Sequence, residues 1–498
     1  MNSQTANSSL RWAMLILLLA LSVWLRWDTY PKTYFADELI PHAVIQHMQD
    51  TRTLDTNWEH ADWRGDFAGG FYKLRQYNFS SYHTTLFFLR GLAGFLHPDT
   101  LTDLAFYRIT SLVFQLVTLI LIFLTAKQLG GYACGLLAAA FFAVMPQPVI
   151  DAHYARPESF VMLLVIMAVW LALRAHASRD FRYHLFAAAI WGVAFACKFS
   201  FAPMAFLALL QWQWRAVSVV NVIAWVAAFF VGVLLSAPYA VLDPAGFLHG
   251  IRLLLTQYND NLPPTVWLDA VLPSAGELFA YLAGFLGWPA IFLLVASLWV
   301  KAPVLRTVVR LSWLVTVTYL LVFAHATVFF ERNLSHLLPL WAICFSLGST
   351  ALFARASMLA GKNRVVARTA VGVIVIAALF FGVCMSWQIV SIVFHDSQSF
   401  RVKIARMDVD MQQKYGAERV LPLNFTPDFS RLDRLQGNVL LRMPVAEPKF
   451  RDVAKQLFRE HGYELLEAMP MPLGRLPYNQ LQVNHMPVAY EYYRRINP

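Results

Sequence analysis

Between Ala13 and Val393 the chain falls repeatedly into apolar runs long enough to cross a bilayer, and this recurrence limits it to one class of fold. A spanning helix needs about 20 such residues, and in lipid its backbone N–H and C=O groups must be satisfied within the segment. The runs are Ala13–Leu25 with its flanks, Leu104–Leu129, Tyr132–Val149, Ser159–Leu173, Val217–Tyr239, Leu278–Val300, Val308–Phe330, Leu334–Phe353 and Thr369–Val393. Hydrophobic residues make up 58% of the 498 and charged residues only 14%, where a soluble globular protein carries roughly 25% charged. That is too little charge to cover a soluble surface. An ordinary cytosolic enzyme and a disordered or fibrous chain are excluded. The net charge of +10 belongs to the loops of a membrane protein, not to a nucleic-acid partner.

Charge placement sets the topology. His184–Cys197 and Phe199–Trp212 are two 14-residue runs divided by Lys198, each about 21 Å long as a helix against a hydrocarbon core of about 30 Å. If both cross, the chain has about 11 transmembrane helices, begins inside and finishes outside. Thirteen cations, from Arg11 to Arg368, then lie in the inner loops against one anion, Asp180. If the pair crosses once, eight of the thirteen change side. The positive-inside bias selects two short crossings. The first run, followed by Trp24, Arg26 and Trp27, reads as a retained helix with an interfacial anchor. Cys134, Cys197, Cys344 and Cys384 form no C-x-x-C pair and read as small apolar residues.

The division expected is a membrane part, 1–396, and an outer soluble part, 397–498. The membrane part carries an outer loop at 28–101 and a second at 239–276. Thr84–Leu96 and Phe247–Thr256 read as interfacial helices. After Asp396 the composition changes abruptly. Helical patterns at Phe400–Tyr415 and Lys449–His461 alternate with strand-like Arg419–Leu423, Val439–Arg442 and Tyr463–Ala468, which predicts a small α/β unit.

The chemistry-bearing residues sit at outer span ends. Tyr34-Phe-Ala-Asp37-Glu38 opens the first loop; an acidic pair there can take a proton from a hydroxyl or hold a divalent cation. A second cluster follows the third run, with Asp151, His153, Tyr154, Arg156, Pro157 and Glu158. Pro157 suits the first helical position, which puts Glu158 in the first turn where the dipole favours an anion. Lys198 lies between two runs too short to reach the surface, and an ionisable group at such a depth is expensive unless it is paired. Arg332 opens the tenth run on the same face. A phosphate ester arriving from the lipid side needs such cations. Lys73 and Arg75, in Gly70-Phe-Tyr-Lys-Leu-Arg-Gln-Tyr77, add to them in a stretch suited to a lid.

Five segments in order resemble the GT-C superfamily of polyprenyl-phosphate-sugar-dependent glycosyltransferases, within it the protein O-mannosyltransferase and lipid A aminoarabinose transferase group. They are Ala-Asp37-Glu38, Tyr154-Ala-Arg156-Pro-Glu158-Ser, Cys-Lys198-Phe-Ser, Ser236-Ala-Pro-Tyr239-Ala-Val-Leu-Asp243-Pro, and Glu-Arg332-Asn-Leu-Ser-His-Leu-Leu-Pro339. In that group the fourth reads Pro-Tyr-x-x-x-Asp-Pro and the fifth Arg-Tyr-x-x-Pro; here Asn333 replaces the Tyr, and Glu158 stands where Asp is common. The resemblance covers about residues 10–395. It implies transfer of a sugar from a polyprenyl-phosphate donor to a hydroxyl of a lipid, glycan or protein acceptor at the outer face. Asp37 is then the general base, with Glu38, Asp151 and Glu158 as acids that orient the acceptor or bind a metal. Lys198 and Arg332, with Lys73, Arg75 and Arg156, meet the lipid phosphate, and His153, Tyr154 and Tyr239 face acceptor or sugar. No cofactor is demanded; a divalent metal, if used, falls to Asp37 and Glu158.

A transporter or flippase for a lipid-linked or anionic solute also accommodates eleven spans and intramembrane cations. Transporters, however, place ionisable groups near the midplane on broken helices, whereas here they crowd the outer ends. The expected location is a bacterial inner membrane with the site and the C-terminal part on the periplasmic side.

Overall fold

The computed structural model describes residues 3–27, 38–60, 81–96, 103–198, 218–257, 282–324, 331–391, 397–423, 437–445, 455–470 and 489–496. Helix α1 (Ser3–Trp24) is followed by α2 (Leu39–Thr51), α3 (Ser81–Leu96) and the long α4 (Asp103–Val144). α4 is a hairpin. Gly131, at φ 84° and ψ −177°, breaks it, a conformation open to glycine because it has no Cβ. Beyond the break the chain doubles back, so that a Cβ on Gly135 would stand 2.8 Å from the Phe123 carbonyl oxygen. Twelve residues of straight helix would hold those positions about 18 Å apart.

The two arms are the runs expected over 104–129 and 132–149, with one correction. The second arm stops at Val144, and Met145 is extended because Pro146 disfavours a helical residue before it. The chain restarts as α5 (Pro146–Ala152), all seven residues of which are buried. This early break turns Gln147 and Asp151 inward.

α6 (Pro157–Ser178) begins, as expected, with Pro at its first position and Glu158 in its first turn. α7 (Arg182–Cys197) and α8 (Val219–Ser236) run side by side in the same direction, so that Ala196, late in α7, packs with Val233 and Ala237 at the end of α8. The chain therefore leaves the pair at one end and rejoins it at the other, the condition that a second short crossing must meet. Phe199–Trp212 itself lies outside the described residues. Where the two helices cross, a Cβ on Gly192 would lie 2.0 Å from the Phe229 carbonyl oxygen, and one on Gly232 would lie 2.0 Å from that of Ala189. The two glycines let the backbones touch, as small residues do at membrane helix interfaces. Gly232→Val should cost about 1–3 kcal/mol of stability through overpacking, read as a lowered unfolding temperature in detergent. Gly372→Val, where an added Cβ meets nothing within 4 Å, should leave that temperature in place.

Next come α9 (Tyr239–Leu242), α10 (Pro244–Gln257), α11 (Trp288–Ala296), α12 (Pro303–Ala324), α13 (Leu338–Ser357) and α14 (Gly361–Ile389). Six helices among the described residues are long and apolar enough to span a membrane, and three shorter ones are apolar. The hydrophobic core runs through α4, α6 and α13. α8 presents Val220, Ile223 and Leu235 outward, as a helix does that is solvated by lipid instead of water. Three contacts bring chain-distant ends to one end of the bundle. Arg26 donates to the Ala143 carbonyl at 2.9 Å, Ser386 donates to the Val144 carbonyl at 2.8 Å, and Lys198 reaches Glu158 at 2.9 Å. All four cysteines are free, and only Cys384 is exposed.

The C-terminal part contains α15 (Ser397–Tyr415) and a four-stranded sheet of β1 (Arg419–Pro422), β2 (Val439–Val445), β3 (Tyr463–Pro470) and β4 (Ala489–Arg495), in the order β1-β2-β4-β3. β1 pairs parallel to β2, and β4 is antiparallel to both its neighbours. Met411 of α15 packs on Leu440 and Tyr492. Sequence reading missed β4. Its tyrosines fall on both faces and its one acid, Glu491, is buried against the Tyr493 hydroxyl at 2.5 Å, so the strand lacks the apolar–polar alternation that marks a half-buried one.

Candidate active site

Two buried carboxylates meet where α4, α5, α6 and the short 3-10 helix Glu331–Leu337 come together. Asp151, on the last turn of α5, accepts from Gln147 Nε2 at 2.8 Å and Arg156 Nη2 at 3.0 Å through Oδ1, and from the Ser335 hydroxyl at 2.6 Å through Oδ2. Burial pushes the Asp151 carboxyl up from its ordinary value, and the adjacent Arg156 works against that shift. Ser159 ties the start of α6 to the same place, donating to the Asp151 carbonyl at 3.0 Å.

Glu158 stands among three cations. Its Oε1 is 2.9 Å from Lys198 Nζ and 4.0 Å from Arg332 Nε, and its Oε2 is 3.9 Å from Arg156 Nε. Lys198 is the residue at which α7 ends, in extended conformation. Three segments separated widely in sequence thus deliver opposite charges to one spot. Glu158 and Arg156 are buried, while Lys198 and Arg332 remain 19% and 18% exposed. The two more open cations are the ones a phosphate can approach.

Glu38 joins the cluster from α2. It is fully buried and accepts from Arg108 Nε at 2.8 Å and Nη2 at 2.5 Å, a two-pronged pair, and from the Ala155 backbone N–H at 2.7 Å. One carboxylate therefore holds the start of α2 against α4 and against the turn that leads to Arg156. His153 Nδ1 lies 2.6 Å from the Val149 carbonyl, and the Arg156 guanidinium stacks on the Tyr154 ring at 4.7 Å. Both rings are buried and serve the turn between α5 and α6. Tyr239 opens α9 beyond the end of α8, half-buried, between Ala237 and Ala240, which pack on Ala196 near the end of α7. Asp37, Lys73 and Arg75 lie outside the described residues.

Glu38, Asp151, Arg156, Glu158, Lys198 and Arg332 are thus neighbours. Sequence reading overlooked Arg108 and Ser335. Arg108 carried a usable signal, since it is a lone cation near the outer end of an apolar run, as Lys198 is. Ser335 carried none, because a serine three residues from an arginine is ordinary at a span end. At the cluster, Arg108, Arg156, Lys198 and Arg332 face the carboxylates of Glu38, Asp151 and Glu158. Among the described residues these are four cations against three carboxylates.

The helical part of the chain shares its fold with a solved membrane protein, and a family model matches part of it. Residues 103–241 match the model of the dolichyl-phosphate-mannose-protein mannosyltransferase family. The apo oligosaccharyltransferase of Archaeoglobus fulgidus superposes with a TM-score of 0.51 at 12% identity, over 76% of this chain and 56% of that one. The same enzyme tethered to an acceptor peptide containing the NVT sequon gives 0.50 at 12% identity, over 76% and 55%. This chain therefore spans about half the length of the archaeal enzyme. ArnT from Cupriavidus metallidurans, in its apo state, is similar over 99% of this chain and 98% of that one, at 11% identity and a TM-score of 0.49. Among curated proteins no sequence match is found.

Proposed function

We propose that the chain moves a hexosyl or pentosyl group from a polyprenyl-phosphate donor to an acceptor hydroxyl, with inversion, at the outer face of a bacterial inner membrane. The observation that carries this reading is Glu158 ringed by Lys198, Arg332 and Arg156 at the end of the bundle where the lipid-facing helices terminate. A transition state with oxocarbenium character spreads positive charge over the sugar. The departing lipid phosphate is an anion, and preplaced cations stabilise it better than a general acid would. Lys198 and Arg332 have the exposure and charge for that task. Asp37, one residue before the anchored Glu38, takes the acceptor proton, and Glu38 positions it. With one base and one displacement, the anomeric configuration inverts.

Asp151 and its partners hold Arg156 and the 3-10 helix that carries Arg332. The proposed division is a membrane catalytic part, 1–396, and a periplasmic part, 397–498, on the acceptor side. Glu158 is already balanced by three cations, which leaves its carboxylate little charge to offer a divalent metal.

The test is incubation of purified protein in detergent with a panel of labelled polyprenyl-phosphate sugars, followed by identification of the labelled product. Transfer without a sealed compartment is expected; a chain that only moves such lipids across vesicle membranes and never cleaves the phosphate–sugar bond overturns the reading. Lys198→Met should raise the donor KM roughly 10- to 100-fold, since a charge-assisted hydrogen bond contributes about 1.5–3 kcal/mol. Lys198→Arg should recover part of the loss.

A further inference from the structure

Away from the acid cluster, His47, Asp55 and His60 converge. His47 lies near the end of α2. Past the helix the chain reverses through Arg52, in the left-handed region at φ 54°, and the 3-10 turn Trp58–His60 brings His60 back toward His47. Asp55 is held for the purpose: its Oδ1 accepts the Asn57 backbone N–H at 2.9 Å, which leaves Oδ2 aimed at both rings. His60 Nδ1 is 2.6 Å from that oxygen and His47 Nε2 is 3.6 Å from it. The three donor atoms all lie within 4.8 Å of one another, the only group of three such side chains among the described residues.

We propose that His47, Asp55 and His60 bind a zinc-class divalent cation that fastens the chain after α2 onto that helix. Two imidazoles and one carboxylate suit zinc or its transition-metal neighbours and not calcium or magnesium, which take oxygen donors. Metal–ligand distances of about 2.0–2.2 Å require donors roughly 3.4 Å apart in a tetrahedral site. His47 and Asp55 already meet this spacing. His60 must withdraw by about 1 Å, and it has room to do so because its side chain is 52% exposed on a three-residue turn. The Asp55 side chain is 9% exposed and His47 is 17% exposed, so the open fourth position faces the side of His60, where water can enter. The Asn57 Nδ2 lies 3.5 Å from His60 Nε2; with the amide turned over, its oxygen accepts the Nε2–H that a ligating Nδ1 leaves on the ring, the role of the outer partner.

The site does not serve the transfer chemistry directly. His47 is nine residues along α2 from Glu38, about 14 Å of helix. The ion would stiffen the far end of the helix whose near end carries Glu38, and it would fix the direction in which the chain leaves residue 60.

The experiment uses the full chain purified in detergent, stripped with chelator and titrated with Co²⁺ and with Zn²⁺, the first read by its visible d–d absorption and the second by elemental analysis after gel filtration. One equivalent of each and a band typical of four- or five-coordinate cobalt are expected. His60→Ala, at an exposed position that tolerates substitution, should abolish the band, as should His47→Ala. Asn57→Ala should weaken Zn²⁺ binding by roughly 10- to 100-fold, as loss of an outer partner does. His249→Ala, at an exposed histidine elsewhere, should bind like the parent chain. Absence of the band in the parent chain, an unchanged band in the His47→Ala, His60→Ala double variant, or binding only at millimolar metal overturns the proposal. In each of those outcomes the trio is a hydrogen-bonded clasp and nothing more.

Discussion

Asp37→Asn should insert, fold and purify like the parent chain while transferring sugar 10²- to 10⁴-fold more slowly. That interval is what a positioned general base contributes, and an amide cannot accept the proton. The substitution is nearly isosteric. The anchoring of this segment rests on the next residue, since Glu38 holds Arg108 and the Ala155 N–H. The readout is kcat from a labelled polyprenyl-phosphate sugar under donor saturation, beside the unfolding temperature in detergent. A drop in kcat with the temperature unmoved and the donor KM within a few-fold assigns Asp37 to the chemical step. Undiminished transfer removes Asp37 from the mechanism and moves the search for a base to Asp151 and Glu158. Neither is well suited. Glu158 is surrounded by cations, and Asp151 is fully buried with both oxygens occupied.

The helices were readable because lipid admits so few solutions. A chain that must satisfy its own backbone leaves a periodless apolar run wherever it crosses, and most expected runs coincide with a described helix; Leu278–Val300 does not, because Gly287, at φ 80°, breaks it and leaves the nine-residue helix Trp288–Ala296. The parallel course of α7 and α8 fits the two short crossings that the placement of Lys and Arg selects. Contacts that depend on a single hydroxyl or on distant pairing were not readable. Asp151 and Ser335 are 184 residues apart and Glu38 and Arg108 are 70 apart, with no periodicity to link them. His47, Asp55 and His60 escaped for a related reason: their proximity is made by a left-handed residue at Arg52 and a 3-10 turn, features of backbone conformation that residue spacing does not announce. Within the acid cluster, the sequence pointed to charge at one surface but not to its partition. Glu38 looked like half of an acidic pair, and the structure commits it to Arg108 and the Ala155 N–H.

That partition makes the Glu38–Arg108 pair a sensitive structural element near the site. Glu38 is 0% exposed and Arg108 5%. Removing one member of a buried pair leaves an uncompensated charge and costs about 3–5 kcal/mol, whereas replacing both with apolar groups is often neutral. Arg108→Met should therefore lower stability by about that amount. In the Glu38→Gln, Arg108→Met double variant the buried charge is gone, and the new amide's carbonyl at position 38 can still accept the Ala155 N–H. Most of the lost stability should return, and the cycle of two single variants and the double should show a coupling of several kcal/mol. Transfer should not return with it. Arg108 fixes the direction of the Glu38 carboxylate through two parallel hydrogen bonds, and in the proposed mechanism this anchors the residue next to the base. A misplacement of about 1 Å at the reacting centre is enough to lower turnover a hundredfold. A double variant restored in unfolding temperature but still slow in kcat would separate positioning from folding. Recovery of both together would mean that the pair serves only to hold α2 against α4, and that Asp37 finds its place without it.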